Sequence, residues 1–135
     1  MTDMTDMTDT TDAQRLERGR ALAARLLAGA PRGRRLPAEM NRHTMGHLFG
    51  DVWHGEDLEL EQRSLITCTV LVALGRENEQ RLHFRGARNL GIERATLEAM
   101  ITHVAHYAGW PVAVSALRIL DETWEEMDAQ AAGDS

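Results

Sequence analysis

The sequence contains a single cysteine, Cys68, so it can form neither an intrachain disulfide nor a CxxC redox centre. It also lacks a long apolar run: the longest block, residues 65–74, is about half of what a membrane-spanning helix needs. The start of the chain is acidic and polar, unlike a secretory signal. These absences predict a cytoplasmic protein that enters no membrane and works without disulfide chemistry.

Aromatic residues are also scarce, and the 15 basic residues are outnumbered by 21 acidic ones. The formal net charge of −6 argues against binding to nucleic acid, which depends on neutralising phosphates. Aromatic residues make up 4% of the chain and apolar residues 43%. A core built mainly from Ala, Leu, Val and Met favours packed helices over a β-sandwich. The composition therefore predicts an all-α protein, with a thin core that association of copies would complete.

The chain reads as one domain between two tails. Residues 1–12 repeat Met-Thr-Asp, a low-complexity pattern with nothing to bury, and predict a disordered tail. Residues 13–129 form the predicted helical domain, and residues 130–135 a second disordered tail. Apolar periodicity and helix-ending glycines predict about six helices and no strand, at residues 13–28, 38–52, 58–74, 77–90, 93–108 and 110–127. Asp57 is available to cap the third of these helices.

Two of the six histidines have the spacing of metal ligands. His43 and His47 are four residues apart, which can place two ligands on one helical face. The residues between them do not complete an HExxH motif, and the sequence offers no third ligand. We therefore predict no metal site and interpret the pair as ordinary surface or interface residues.

His83 is the strongest candidate for acid–base chemistry. It shares one side of a predicted helix with Glu79 and with an apolar strip, so it is expected to be partly buried with a carboxylate one turn away. Such a carboxylate can orient an imidazole and raise its pKa. A hydrogen-bonded core histidine without a chemical role is the alternative interpretation. Cys68 lies within an apolar block and is expected to be an inert, buried thiol.

Other candidates lie on neighbouring elements. His103 and Tyr107 flank the apolar face of the next helix, one turn apart, and are expected to line a pocket, whereas His106 is expected to be exposed or at a subunit contact. Arg63 opens the helix that is expected to be the most buried, because it is apolar nearly all round, and an arginine there requires an anionic partner, such as a carboxylate or a substrate acid. Arg85 belongs to a basic run in which some members can contact substrate.

Three linked motifs resemble one known family. RSLITCTVLVALGR at residues 63–76 closely resembles the RSLIT…ALGR segment of carboxymuconolactone-decarboxylase-like proteins. The resemblance continues through EQRLH at 79–83, RGARNLG at 85–91 and ITHVAHYAGWP at 101–111, and covers roughly residues 53–126. It implies the alkylhydroperoxidase-D-like helical fold, assembled as a homotrimer or homohexamer.

The resemblance also implies chemistry. In the peroxidase branch a CxxC precedes the histidine that matches His83, whereas here that stretch reads Arg76-Glu-Asn-Glu79, so thiol peroxidase activity is disfavoured. The decarboxylase branch acts on a carboxylated unsaturated lactone that accepts the electrons left by carbon dioxide, so no cofactor is needed. We expect His83 to transfer the proton.

The remaining roles follow from the same motifs. Glu79 is expected to orient the catalytic histidine, and Arg63 or Arg85 to hold the carboxylate or oxyanion. His103, Tyr107 and Trp110 are expected to line the pocket.

Two other functions stay open. One is a tailoring enzyme that performs related acid–base chemistry on another lactone, enol or polyketide-like molecule. The other is an oligomeric ligand-binding protein without turnover. The turn at residues 54–57 reads HGED where the family commonly has an RPG-like turn, which is compatible with a different substrate.

Overall fold

A computed structural model describes residues 11–133 of the chain. It contains six α-helices, which we number α1 (Asp12–Leu26), α2 (Ala38–Arg42), α3 (Leu60–Ala73), α4 (Glu77–Asn89), α5 (Arg94–Ala108) and α6 (Trp110–Gly133). A π-helix, His43–Phe49, continues α2, and a 3₁₀ turn, Val52–His54, follows it. The described residues contain no strand, which confirms the all-α prediction. Over the same residues, no helix is long and apolar enough to cross a membrane.

Most predicted helix ends lie within two residues of the observed ones. Gly75 and Gly91, which follow α3 and α4, have φ angles of 69° and 91°. Glycine adopts this left-handed conformation without the steric cost that a side chain brings, and so ends both helices where the sequence predicted. Helix α1 begins at Asp12, where Thr11 and Gln14 cap each other: the Gln14 N–H donates to Thr11 Oγ1, and the Thr11 N–H to Gln14 Oε1. The predicted tail at residues 1–10 lies outside the described residues.

Three local predictions were wrong. Glu59, rather than Asp57, caps α3, and its backbone N–H donates to Gln62 Oε1 at 2.8 Å. The second predicted helix is α-helical only over α2 and then widens into the π-helix. Helix α6 continues to Gly133, beyond its predicted end and into the predicted C-terminal tail.

The chain divides into two compact units. Of the described residues, the first comprises 11–24 and 33–57. Its helices approach each other closely at glycines: a Cβ on Gly19 would lie 1.7 Å from Met45 O. Arg18 donates from Nε and Nη2 to Gly50 O at 2.8 and 2.6 Å. At Gly19 the backbones of the first unit therefore pack directly against each other, in addition to the contacts that its side chains make.

Of the described residues, the second unit comprises 25–32 and 58–133. Its core is formed by buried apolar side chains of α3 to α6: Cys68, Val72, Phe84, Ala87, Leu97, Ile101, Val104, Ala105, Ala113, Ala116, Ile119 and Leu120. The ion pairs Arg81–Glu122, Arg118–Glu77 and Arg94–Asp121 join α6 to α4 and α5 at the surface. Such exposed pairs contribute little each, so burial of the apolar core dominates the stability of this unit.

Candidate active site

Two hydrogen bonds set the register of α3 against α4. The buried Cys68 thiol donates from Sγ to His83 O at 3.3 Å, and Gln80 donates from Nε2 to Leu71 O at 3.1 Å. Both bonds use a side chain of one helix and a backbone carbonyl of the other. They place His83 level with the middle of α3, the most apolar helix of the chain.

His83 lies at the edge of the core and is half-buried, and its Nδ1 atom is buried. Burial lowers the pKa of His83, because desolvation penalises the charged imidazolium, while the carboxylate of Glu79 acts in the opposite direction. Glu79 itself is exposed. The expectation that His83 is partly buried is confirmed, and at neutral pH its imidazole is mainly uncharged.

Arg63 occupies the first turn of α3 and is half-buried, with its Nε atom buried. It precedes Cys68 by five residues, a rise of about 7–8 Å along the helix axis. Two half-buried groups that can carry positive charge thus lie on adjacent helices.

Arg85 has a different environment from the one the sequence suggested. Its side chain is only 3% exposed and its Nη2 lies 3.1 Å from Glu126 Oε1 on α6. Its Nη1 donates to Gln130 Oε1 at 2.8 Å, and Gln130 in turn donates from Nε2 to Gly29 O at 3.0 Å. The guanidinium of Arg85 is therefore engaged with α6, in a link that extends to the segment after α1.

The RGARN motif around Arg85 makes further contacts of this kind. Asn89 donates from Nδ2 to Leu26 O at 2.8 Å and to Ala28 O at 3.1 Å. Arg88 contacts Asp128 at 2.7 Å and lies over the ring of Trp124. These side chains fix α4 to its neighbours and hold His83, on the same helix, in place.

The candidate pocket residues of α5 lie at the surface of the second unit. The rings of His103 and Tyr107 are 5.1 Å apart, and those of His106 and Trp110 are 5.0 Å apart in an edge-on arrangement. Tyr107 is 83% exposed and Trp110 59% exposed. His106 is exposed, as expected, and its Nδ1 lies 2.8 Å from Thr102 O. A carbonyl only accepts, so Nδ1 carries the proton.

A broad apolar surface accompanies these aromatic rings. Ile66 and Val70 on α3 and Leu74 directly after it recur every four residues and are 49%, 49% and 66% exposed, so the prediction that this helix is buried on most sides is wrong for the single chain. On α6, Val114 is 58% exposed and Leu117 37% exposed. Exposed apolar residues in repeated rows are typical of surfaces that another molecule covers.

The role of Cys68 could not be read from the sequence. Its position within an apolar block predicted burial, which is confirmed, since the residue is fully buried and burial raises the pKa of its thiol to about 12. Its hydrogen bond to His83 O links residues fifteen positions apart on different helices, and no local pattern signals such a contact. The thiol therefore contacts the backbone of the candidate proton donor.

The histidine pair of the first unit lies on a groove of about 640 Å³ formed by α2, the π-helix and the residue before them. Met40, His43, His47 and Leu48 are among its lining residues. Within residues 11–133, no group of three or more His, Cys, Asp or Glu side chains is arranged to hold a metal ion.

Comparison with known proteins identifies relatives over the same region. Residues 38–122, more than half of the chain, match the carboxymuconolactone decarboxylase family. The chain is 38% identical over 79 residues to 4-carboxymuconolactone decarboxylase of Acinetobacter baylyi, covering 58% of this chain and 59% of that protein. It is 32% identical over 79 residues to nitrosuccinic acid decarboxylase of Metarhizium robertsii, covering 58% and 55%. The matched part thus spans little more than half the length of either relative.

Proposed function

Since the chain belongs to the carboxymuconolactone decarboxylase family, we propose that it is itself a decarboxylase of a small carboxylic acid. The observation that carries the proposal is His83, a half-buried imidazole with a lowered pKa on a helix within the matched region. Perturbed histidines at the edge of a core are typical of acid–base sites.

The substrate class follows from where the electron pair goes when carbon dioxide leaves the substrate. When carbon dioxide leaves a carboxylate, the bonding pair stays on carbon and must be delocalised. A lactone carbonyl conjugated through an alkene can accept that pair, and so can a nitro group, the substituent named for the second relative's substrate. We therefore propose an acid whose carboxyl-bearing carbon is joined to such an electron-accepting group. The acceptor belongs to the substrate, so the proposed reaction requires no bound cofactor.

His83 supplies the proton in this proposal. The free protein holds His83 mainly neutral, but an anionic substrate beside it would favour the imidazolium and raise its pKa. After the carbon–carbon bond breaks, the imidazolium proton passes to the carbanionic carbon, which leaves carbon dioxide, the protonated remainder of the substrate and a neutral imidazole. The imidazole takes up one proton from solvent before the next turnover. Glu79, one turn away, orients the ring and favours its charged form.

Arg63 is the proposed partner of the substrate carboxylate or of the developing oxyanion. It is half-buried at the start of the helix that packs on α4, and its planar guanidinium can hold a carboxylate through two hydrogen bonds. Arg85 was an equal candidate on the sequence. Its engagement with Glu126 and Gln130 favours a positioning role instead, because a bound acid would have to displace both partners.

His103, Tyr107 and Trp110 are proposed to complete the substrate pocket. Their exposure in a single copy supports an assembly in which a second copy covers them. The exposed rows on α3 and α6 support the same proposal of a homo-oligomer, and burial of such rows is worth roughly 25 cal/mol per Å².

The test is a decarboxylation assay with purified protein on 4-carboxymuconolactone and, separately, on nitrosuccinic acid, following carbon dioxide release. We expect turnover of one of the two acids, and a loss of about 10²–10⁴-fold in kcat for His83→Gln, the usual contribution of a positioned proton donor. His43→Gln, a change of an exposed histidine in the first unit, is the matched control and should retain activity. No turnover of either acid would contradict the substrate class, whereas equal turnover by His83→Gln would contradict the assignment of the proton donor.

A further inference from the structure

The groove of the first unit carries a combination of side chains that the proposed decarboxylation does not use. Met40, His43 and His47 all line it, together with Glu39, and Met40 is 54% exposed. Sequence reasoning set the histidine pair aside for want of a third ligand. The groove supplies a third candidate ligand, the thioether of Met40.

The three side chains are neighbours by helical geometry. Met40 and His43 are three residues apart, and His43 and His47 four apart, on the continuous helix formed by α2 and the π-helix. Residues at these spacings have Cβ atoms about 5–6 Å apart. Met40 and His47 are seven residues apart, a rise of roughly 10 Å, so their side chains must both reach towards His43, which lies between them, to meet at a common point. The shared groove confirms that they face the same side.

The π-helix strengthens the histidine arrangement. His43 is its first residue, and His47 lies one wide turn later. Because a π-helix has more residues per turn than an α-helix, residues four apart are brought closer to vertical alignment. Such helices are rare and are frequent at functional sites. His43 Nε2 also lies 3.8 Å from Glu39 Oε1, so a carboxylate is present to orient this imidazole or to balance added positive charge.

We propose that Met40, His43 and His47 form a binding site for one copper(I) ion. Two imidazoles and a thioether match the preference of soft ions such as copper(I) for sulfur and nitrogen ligands. Structural zinc, by contrast, takes four ligands of thiolate, imidazole or carboxylate type. Thr44, between the ligands, donates its hydroxyl to Met40 O at 2.8 Å and serves the helix rather than the ion.

Titration of the full-length protein with copper(I), under anaerobic reducing conditions and against a colorimetric copper(I) chelator, tests the proposal. We expect one equivalent to bind, and His47→Gln and Met40→Leu each to weaken binding by about 10-fold or more. Met40→Leu should leave any weak binding of zinc to the histidine pair unchanged, since zinc does not need the thioether. Met100→Leu and His106→Gln, on the second unit, are the matched controls.

The first residues of the chain require a control of their own, because Met1, Met4 and Met7 are three further thioethers. The double variant Met4→Leu/Met7→Leu should still bind the one equivalent of copper(I) whose binding is weakened in Met40→Leu. Loss of copper in the double variant but not in Met40→Leu would overturn the proposal, as would binding that is equal in wild type and His47→Gln. Absorption spectroscopy at the copper edge should detect both sulfur and nitrogen neighbours, and nitrogen neighbours alone would also overturn it.

Discussion

The guanidinium of Arg85 contacts the carboxylate of Glu126 at 3.1 Å across the interface between α4 and α6. Arg85 is almost fully buried, whereas Glu126 is about half exposed. Burying an arginine is costly unless its charge is paired and its N–H groups are hydrogen-bonded. Glu126 and Gln130 meet that requirement together, which makes the contact a structural link within the helix bundle of the second unit.

Removing Glu126 should therefore destabilise the protein. We expect Glu126→Ala to lower the free energy of unfolding by about 1–3 kcal/mol, because it leaves a buried guanidinium with fewer partners. Urea unfolding followed by circular dichroism measures the change. Glu125→Ala, at the exposed neighbouring position, is the control and should stay within about 0.5 kcal/mol of wild type. If the two substitutions changed the free energy of unfolding equally, the contact between Arg85 and Glu126 would make no net contribution to stability.

Gly19→Ala tests the close packing in the first unit. In an ordinary helix interior, alanine is more favourable than glycine by about 1 kcal/mol. Here the new Cβ would lie 1.7 Å from Met45 O and 2.9 Å from Gly50 N, both backbone atoms that cannot move aside cheaply.

Gly19→Ala should therefore lower the free energy of unfolding by several kcal/mol instead of raising it, or should prevent the first unit from folding. Thermal unfolding measures it. Gly33→Ala, where nothing lies within 4 Å of the added Cβ, is the control. A more stable Gly19→Ala protein would contradict the observed packing.

The lowered pKa of His83 predicts a pH dependence of stability. Unfolded histidine titrates near 6.5, so below that pH the unfolded chain binds a proton that the folded protein binds less readily. The neutral imidazole of His83 therefore makes its full contribution to the free energy of unfolding above about pH 6.5. That contribution is lost as the pH falls from 6.5 through the pKa of His83 in the folded protein. We expect the free energy of unfolding to fall less between about pH 7.5 and pH 5 in His83→Gln than in wild type.

His54 needs to be separated from this effect. Burial and the nearby charge of Arg18 lower the pKa of His54, with Asp51 opposing. His54→Gln should therefore remove an independent share of the same pH dependence, and the two substitutions should add. A His83→Gln protein with the full pH dependence of wild type would contradict the burial of this imidazole.

Cys68 should be chemically silent in the folded protein. Burial raises the pKa of its thiol to about 12, so very little thiolate exists near neutral pH. We expect a thiol reagent at about pH 8 to react only after denaturant unfolds the chain. Ala73→Cys in a Cys68→Ala background places a thiol at an exposed position of α3 and should react at once. Rapid reaction of wild type would contradict the buried position.

Much of the fold was predictable because its signals are local. Glycines at 75 and 91 follow apolar periodic segments, and a left-handed glycine ends a helix whatever surrounds it. The family could also be identified from linked motifs, and the match over residues 38–122 confirms it. The π-helix was not predictable, since widening a helix by one residue per turn leaves almost no trace in the apolar pattern of seven residues.

For the candidate site the sequence determined which groups exist, and the tertiary structure decided what each is engaged with. A single cysteine excludes a disulfide cycle in any fold, and Glu79 lies one turn from His83 wherever that helix forms. The partners of Arg85 are more than forty residues away, and only the packing of α4 on α6 turned a candidate substrate ligand into a buried structural link. The same holds for Cys68, whose hydrogen bond to His83 O depends on the register between two helices. Local rules fix helices and their neighbours along the chain, whereas burial and long-range pairing are properties of the packed molecule.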